Sequence, residues 1–144
     1  MTTPDQQALT DALSAEYAAV YAYGVIAAYA NHDRDKLVSE STAAHRARRD
    51  GTIDTLKSLG ANAPAPAAAY TTPFVIDDPI PAAKLAVTVE SDTAAAWRSA
   101  VERADTPEIR HIALDALTET AMRLATWQSI LGANPVTVAF PGQA

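Results

Sequence analysis

"GANAPAPAAAYTTPFVIDDPI", residues 60–80, decides the topology of this 144-residue chain. Pro64, Pro66, Pro73 and Pro79 fix φ and remove backbone donors, so a helix cannot run through the segment and an extended path is favoured. At roughly 3 Å per extended residue the segment reaches ~60 Å, more than the length of any bundle its neighbours could build. It is too long for a tight turn. It can carry the chain from one end of a bundle to the other.

On each side of it lie two segments with helical periodicity. Upstream, the first runs from about residue 4 to residue 30 and opens on Thr3-Pro4-Asp5, a helix-start signal. "NHDRD" makes a short turn, which joins antiparallel neighbours. The second spans about residues 34–59 and stops at Gly60. Downstream, the third is expected from about Pro81 to Asp105. The fourth starts at Thr106-Pro107, with Thr106 as N-cap, and ends near Gly132. Two helices, a long link and two more helices predict an all-α four-helix bundle with one crossover between helices two and three. Residues 1–144 read as a single domain. The tail, residues 133–144, is alternating and Pro-broken; it is expected to be extended and to pack through Val136, Val138 and Phe140.

Composition narrows the function. Hydrophobic residues make up 49% of the chain, enough for a core, and much of that share is alanine, which favours helix and close packing. The formal charge of -6 argues against nucleic acid as a partner and against an anionic membrane surface. With no cysteine there are no disulfides, thiolate metal sites or cysteine nucleophiles. "MTTPDQQALTD" lacks the basic and apolar regions of a signal peptide, so a cytoplasmic location is expected. No P-loop, nucleophile elbow or dinucleotide fingerprint is present.

One residue of "LSAEYAAVYAYG", 13–24, breaks its pattern. Leu9, Leu13, Val20, Tyr23 and Ala27 follow the three-and-four spacing of one helical face, and Glu16 falls on that face. A carboxylate on an apolar stripe must be paired, neutralised, metal-bound or at an edge. On helix two, stepping back from Ile53 and Leu56 leads to Arg49, then His45 or Arg46, then Thr42. On helix three, Ala86, Ala94, Trp97 and Val101 share a face with Glu90. Glu16, His45 with Arg49, and Glu90 therefore lie roughly mid-helix on inward faces, able to meet at one level. A dinuclear centre in such a bundle wants a Glu on each of two helices and a Glu-x-x-His on each of the others. Here the residue three before His45 is Thr42, the residue three after Glu119 is Met122, and the residue three after Thr118 is Ala121. Neither Glu-x-x-His is present. Glu119 is expected to pair with Arg123 one turn on.

The chain resembles the small ferritin-like domains of unknown function known from actinobacteria. The resemblance covers nearly the whole length and rests on "LSAEYAAVYAYG", "HRARRD", "YTTPF", "LAVTVESDTAAAWR", "ALTETAMRLATW" and "VAFPG". It implies a ferritin-like bundle and no established activity. Within the wider ferritin-like group, the resemblance implies Glu16, His45 and Glu90 as the matching metal positions; Thr42 and the Thr118/Ala121 pair depart from the pattern.

The resulting expectation is a ferritin-like protein whose metal site has degenerated into a buried polar network of Glu16, His45, Arg49 and Glu90. It would have no cofactor, a binding or structural role, and a homodimer formed through an Ala-rich helical face. An arginine inside the site already supplies the positive charge that the carboxylates need, which disfavours a metal. The alternative is an iron- or manganese-dependent oxidoreductase with Glu16, His45 and Glu90 as ligands. A further expectation is a small-molecule pocket at the open end of the bundle, lined by Tyr23, Tyr70 and Phe74. A protein partner is left open.

Overall fold

The computed structural model describes residues 1–143. Four helices account for most of them: α1 (Pro4–Tyr29), α2 (Asp35–Ser58), α3 (Pro79–Arg103) and α4 (Pro107–Ile130). No strand occurs among the described residues. Nor is any described helix long and apolar enough to cross a membrane.

Local chemistry sets the helix ends. Thr3 and Gln6 form a reciprocal capping box at the start of α1, with bonds of 3.2 and 3.0 Å. Asp78 accepts from the Ile80 N–H at 2.8 Å and starts α3 at Pro79, two residues before the expected Pro81. Thr106 caps α4. Both α2 and α4 stop at a glycine with positive φ, Gly60 at 77° and Gly132 at 75°. In each case the next residue donates back to a carbonyl five positions earlier, Ala61 to Leu56 and Ala133 to Gln128, both at 2.9 Å. This is the Schellman closure, which glycine adopts without steric cost.

The long connection climbs along α1. Gln6 donates to the Leu59 carbonyl at 2.8 Å, Tyr17 donates to the Pro64 carbonyl at 2.8 Å, and Tyr21 packs on Tyr70. Ile76 is then buried with Ala22, Tyr23 and Ile26. The chain thus travels from the start of α1 towards its end before α3 begins, which makes α2 and α3 parallel. At the opposite end Asp5, only 6% exposed, accepts from the backbone N–H of Asp105 at 2.7 Å and the hydroxyl of Thr106 at 2.8 Å. That ties the start of α1 to the α3–α4 corner. The four-helix bundle with a crossover between the second and third helices is the architecture the proline-rich segment predicts.

The interior has two apolar clusters. One holds Leu9, Leu13, Leu56, Trp97 and Ile109; the other holds Tyr23, Ile26, Val38, Leu85 and Trp127. Alanines such as Ala12, Ala86 and Ala113 are fully buried and let the backbones approach. Glu16, His45 and Glu90, all at 0% exposure, lie between the clusters in sequence along their helices.

The tail departs from expectation. Val136 is half-buried, but Val138 and Phe140 are exposed, and the segment forms turns. Its anchor is Pro141-Gly142. Arg98 donates to the Pro141 carbonyl at 3.3 Å, and Gly142, at φ 79°, lies so close to α3 that a Cβ would meet the Ala94 carbonyl oxygen at 2.5 Å.

Candidate functional site

Each helix contributes to one buried polar chain. His45 (α2) stands between Glu16 (α1) and Glu90 (α3), with Nδ1 2.7 Å from Glu16 Oε2 and Nε2 2.8 Å from Glu90 Oε1. Trp97 Nε1–H (α3) donates to the other Glu16 oxygen at 2.8 Å. The Tyr23 hydroxyl (α1) donates to Glu90 Oε1 at 2.7 Å and accepts from Trp127 Nε1–H (α4) at 3.0 Å. Arg123 (α4) reaches Glu90 with Nε at 3.3 and 3.4 Å, and its terminal nitrogen lies 3.4 Å from the Thr120 hydroxyl. Trp97, Glu16, His45, Glu90, Tyr23 and Trp127 form an unbroken run of hydrogen bonds through the core.

The bonding pattern favours a charged imidazole. Facing ionised carboxylates, which only accept, both ring nitrogens donate and the ring is an imidazolium. Burial pushes the His45 pKa down, but hydrogen bonds and charge from Glu16 and Glu90 outweigh it, and the net result is a rise from 6.5 to about 9. Burial, with the charge of Glu90 beside it, raises the Tyr23 phenol far above its ordinary value, so Tyr23 stays a donor. Two carboxylates then face two cations, His45 and Arg123, and the cluster balances without an ion from outside. Among the described residues the one buried side-chain polar atom without a partner is the Ser41 hydroxyl.

Three of the four expected network residues, Glu16, His45 and Glu90, are brought together; Arg49 is not. Its Nε lies 2.8 Å from Asp50 Oδ1 at the surface. The reason is helical phase. The inward stripe of α2 is Val38, Ser41, His45, Thr52 and Leu56, whereas Arg49 shares the adjacent face with the half-buried Ile53. On α1 likewise the stripe continues through Ile26, not the exposed Ala27. The guanidinium that reaches the cluster comes instead from the half-buried Arg123. Glu119, expected to hold Arg123, binds Arg48 of α2 at 2.7 Å. The signal for Arg123 was available: Thr120-x-x-Arg123 repeats on α4 the three-residue step of Thr42-x-x-His45 on α2. Both steps carry a hydroxyl where a dinuclear site would carry a glutamate.

That donor set does not fit a metal centre. A ligating imidazole turns one bare nitrogen to the ion and gives the other to an orienting acceptor. Here the two nitrogens face separate carboxylates on opposite edges of the ring, and Arg123 stands at Glu90. Among the described residues no group of three or more His, Cys, Asp or Glu side chains is placed to hold a metal ion.

Tyr23, Tyr70 and Phe74 do not share a pocket. Tyr23 is fully buried with its hydroxyl on Glu90, Tyr70 stacks against Tyr21 with ring centroids 5.4 Å apart, and Phe74 is exposed. Positions 21 and 23 are two residues apart on a helix, about 200° round its axis, so with Tyr21 on Tyr70 the Tyr23 ring turns to the core instead.

Residues 8–144 match the family model described as a domain of unknown function, DUF4439. Among solved structures, the chain is similar to a conserved hypothetical protein, rv2844, from Mycobacterium tuberculosis, with 43% sequence identity and a TM-score of 0.87. The match covers 96% of this chain and 97% of that one. Among curated proteins none is significantly similar to this chain.

Proposed function

The chain belongs to the DUF4439 family of unknown function, and we propose that it is a ferritin-like bundle in which protons and an arginine have taken the place of a metal centre. On this reading the protein has a binding or structural role and needs no metal. The observation that carries it is the doubly hydrogen-bonded His45, with 2.7 and 2.8 Å contacts to two different carboxylates. The cluster is already neutral, so a divalent cation would have to displace the imidazolium proton and crowd the Arg123 guanidinium. The alternative, an iron or manganese oxidoreductase with Glu16, His45 and Glu90 as ligands, requires His45 to release one of its two carboxylates.

Two measurements test the proposal. Protein produced with iron and manganese supplied should carry far less than one metal per chain by elemental analysis. Nitrogen NMR at neutral pH should show both ring nitrogens of His45 protonated. Stoichiometric iron or manganese that is lost in Glu16→Gln would overturn the reading and favour the oxidoreductase.

A further inference from the structure

A second site lies away from the buried chain. The crossover stands off α1 and α3 and leaves a cavity of about 370 Å³ between them. Alanines of α1, among them Ala18 and Ala22, form its floor and make the room. Tyr21 and Tyr70 line it, their rings tilted by 47° at a centroid separation of 5.4 Å. Tyr70 is steadied there by the Ala67 N–H, which donates to its hydroxyl at 3.1 Å. A single charged residue, Asp92 of α3, borders the space, and no lysine or arginine does.

These features select one ligand chemistry. Asp92 is exposed at the rim of the cavity, yet partial burial raises its carboxyl above its ordinary value, and no cation or donor offsets that rise. A positive ligand would. An anion is disfavoured by the same carboxylate. A metal ion wants several oxygen ligands, carboxylates among them, yet Asp92 is the one carboxylate bordering the space and the floor is apolar. A cation carrying its own apolar surface suits both the alanine floor and the tyrosine faces, which attract positive charge within about 6 Å of the ring centre.

We infer that the cavity bounded by Tyr21, Tyr70 and Asp92 binds a small organic ammonium ion bearing apolar substituents. This site shares no residue with the His45 cluster and stands or falls independently of it.

The test uses choline and n-butylammonium as probes, followed by NMR titration of the whole protein. At least one of them should bind saturably and shift the ring signals of Tyr21 and Tyr70 together with the Asp92 amide. The neutral carbon isostere of choline, in which a tert-butyl group replaces the trimethylammonium, should bind about tenfold more weakly. Asp92→Asn and Tyr21→Leu should each weaken the ammonium probe by a similar factor. Both residues are surface-accessible, and unchanged signals from the His45 cluster will show that the variants are folded. The inference is overturned if neither ammonium binds, if the isostere binds equally well, if Asp92→Asn leaves affinity unchanged, or if the shifts map elsewhere.

Discussion

Helix α2 carries two kinds of acid–base contact within five residues, and their lengths are nearly the same. His45 meets Glu16 at 2.7 Å and Glu90 at 2.8 Å, Arg48 meets Glu119 at 2.7 Å, and Arg49 meets Asp50 at 2.8 Å. Exposure separates them. The His45 contacts are 0% exposed on both sides, whereas the Arg48–Glu119 side chains are 23% and 55% exposed. In water an ion pair replaces solvation that was already good and contributes little. In a dry core the same contact decides whether charge is compensated at all. Distance alone ranks these pairs equally; burial divides them into a constraint on folding and a decoration of the surface.

The largest effect is therefore expected at His45. His45→Leu leaves Glu16 and Glu90 facing an apolar side chain with only Arg123 as a cation, and should cost ~3–5 kcal/mol in urea denaturation. A loss below about 1 kcal/mol, the range of exposed pairs, would erase the distinction between the two sets of contacts.

The comparison sharpens with pH. The His45 pKa rises from 6.5 in the unfolded chain to about 9 in the fold. The stabilisation is thus fully present below pH 6.5 and is lost as pH rises through about 9. Its size is on the order of 3 kcal/mol, the free-energy equivalent of that shift. Unfolding free energies measured below and above this window should fall by about that amount, and His45→Gln should flatten the slope. The Tyr23 phenol stays protonated throughout and adds nothing to it.

Sequence reading reached the fold further than the site because the two rest on different signals. Prolines in the crossover and glycines at helix ends act locally, so the four helices and their topology were legible. Glu16 and Glu90 were legible as well, because a carboxylate interrupting an apolar stripe is conspicuous. Arg49 and Arg123 show the limit. On α2 the inward stripe passes through Ser41 and Thr52, which are buried but polar, so hydropathy favoured the neighbouring face marked by Ile53. On α4, Glu119 one turn before Arg123 offered a local partner, and nothing in the order of residues tells that Arg48 of another helix takes it. The burial of Asp5 was hidden for the same reason, since the groups that donate to it, the Asp105 N–H and the Thr106 hydroxyl, lie a hundred residues away, at the α3–α4 corner.

Smaller effects are expected further out along the buried chain. Tyr23→Phe removes a donor to Glu90 and orphans the Trp127 N–H, a loss of about 1–3 kcal/mol. Arg123 contacts Glu90 only at 3.3 to 3.4 Å and is 17% exposed. Arg123→Met should cost about 1–2 kcal/mol, since a partly solvated pair lies between the surface and buried limits. Its sharper signature is electrostatic. With less positive charge at Glu90, His45 should hold its proton more tightly, and the pH window of stability loss should move upward when followed by histidine NMR. A downward shift would place Arg123 outside the cluster's charge balance.

The smallest effect belongs to Arg48→Ala. Glu119, 55% exposed, regains water once its partner is gone, so no charge is stranded. The loss should stay below about 1 kcal/mol and shrink in molar salt, because exposed charges are screened within a few ångströms there. His45→Leu should keep most of its cost in the same salt, because ions do not enter the space between Glu16 and Glu90. If both variants responded alike to salt, water would have access to the His45 contacts, and the neutral, closed cluster that argues against a metal would lose its physical basis.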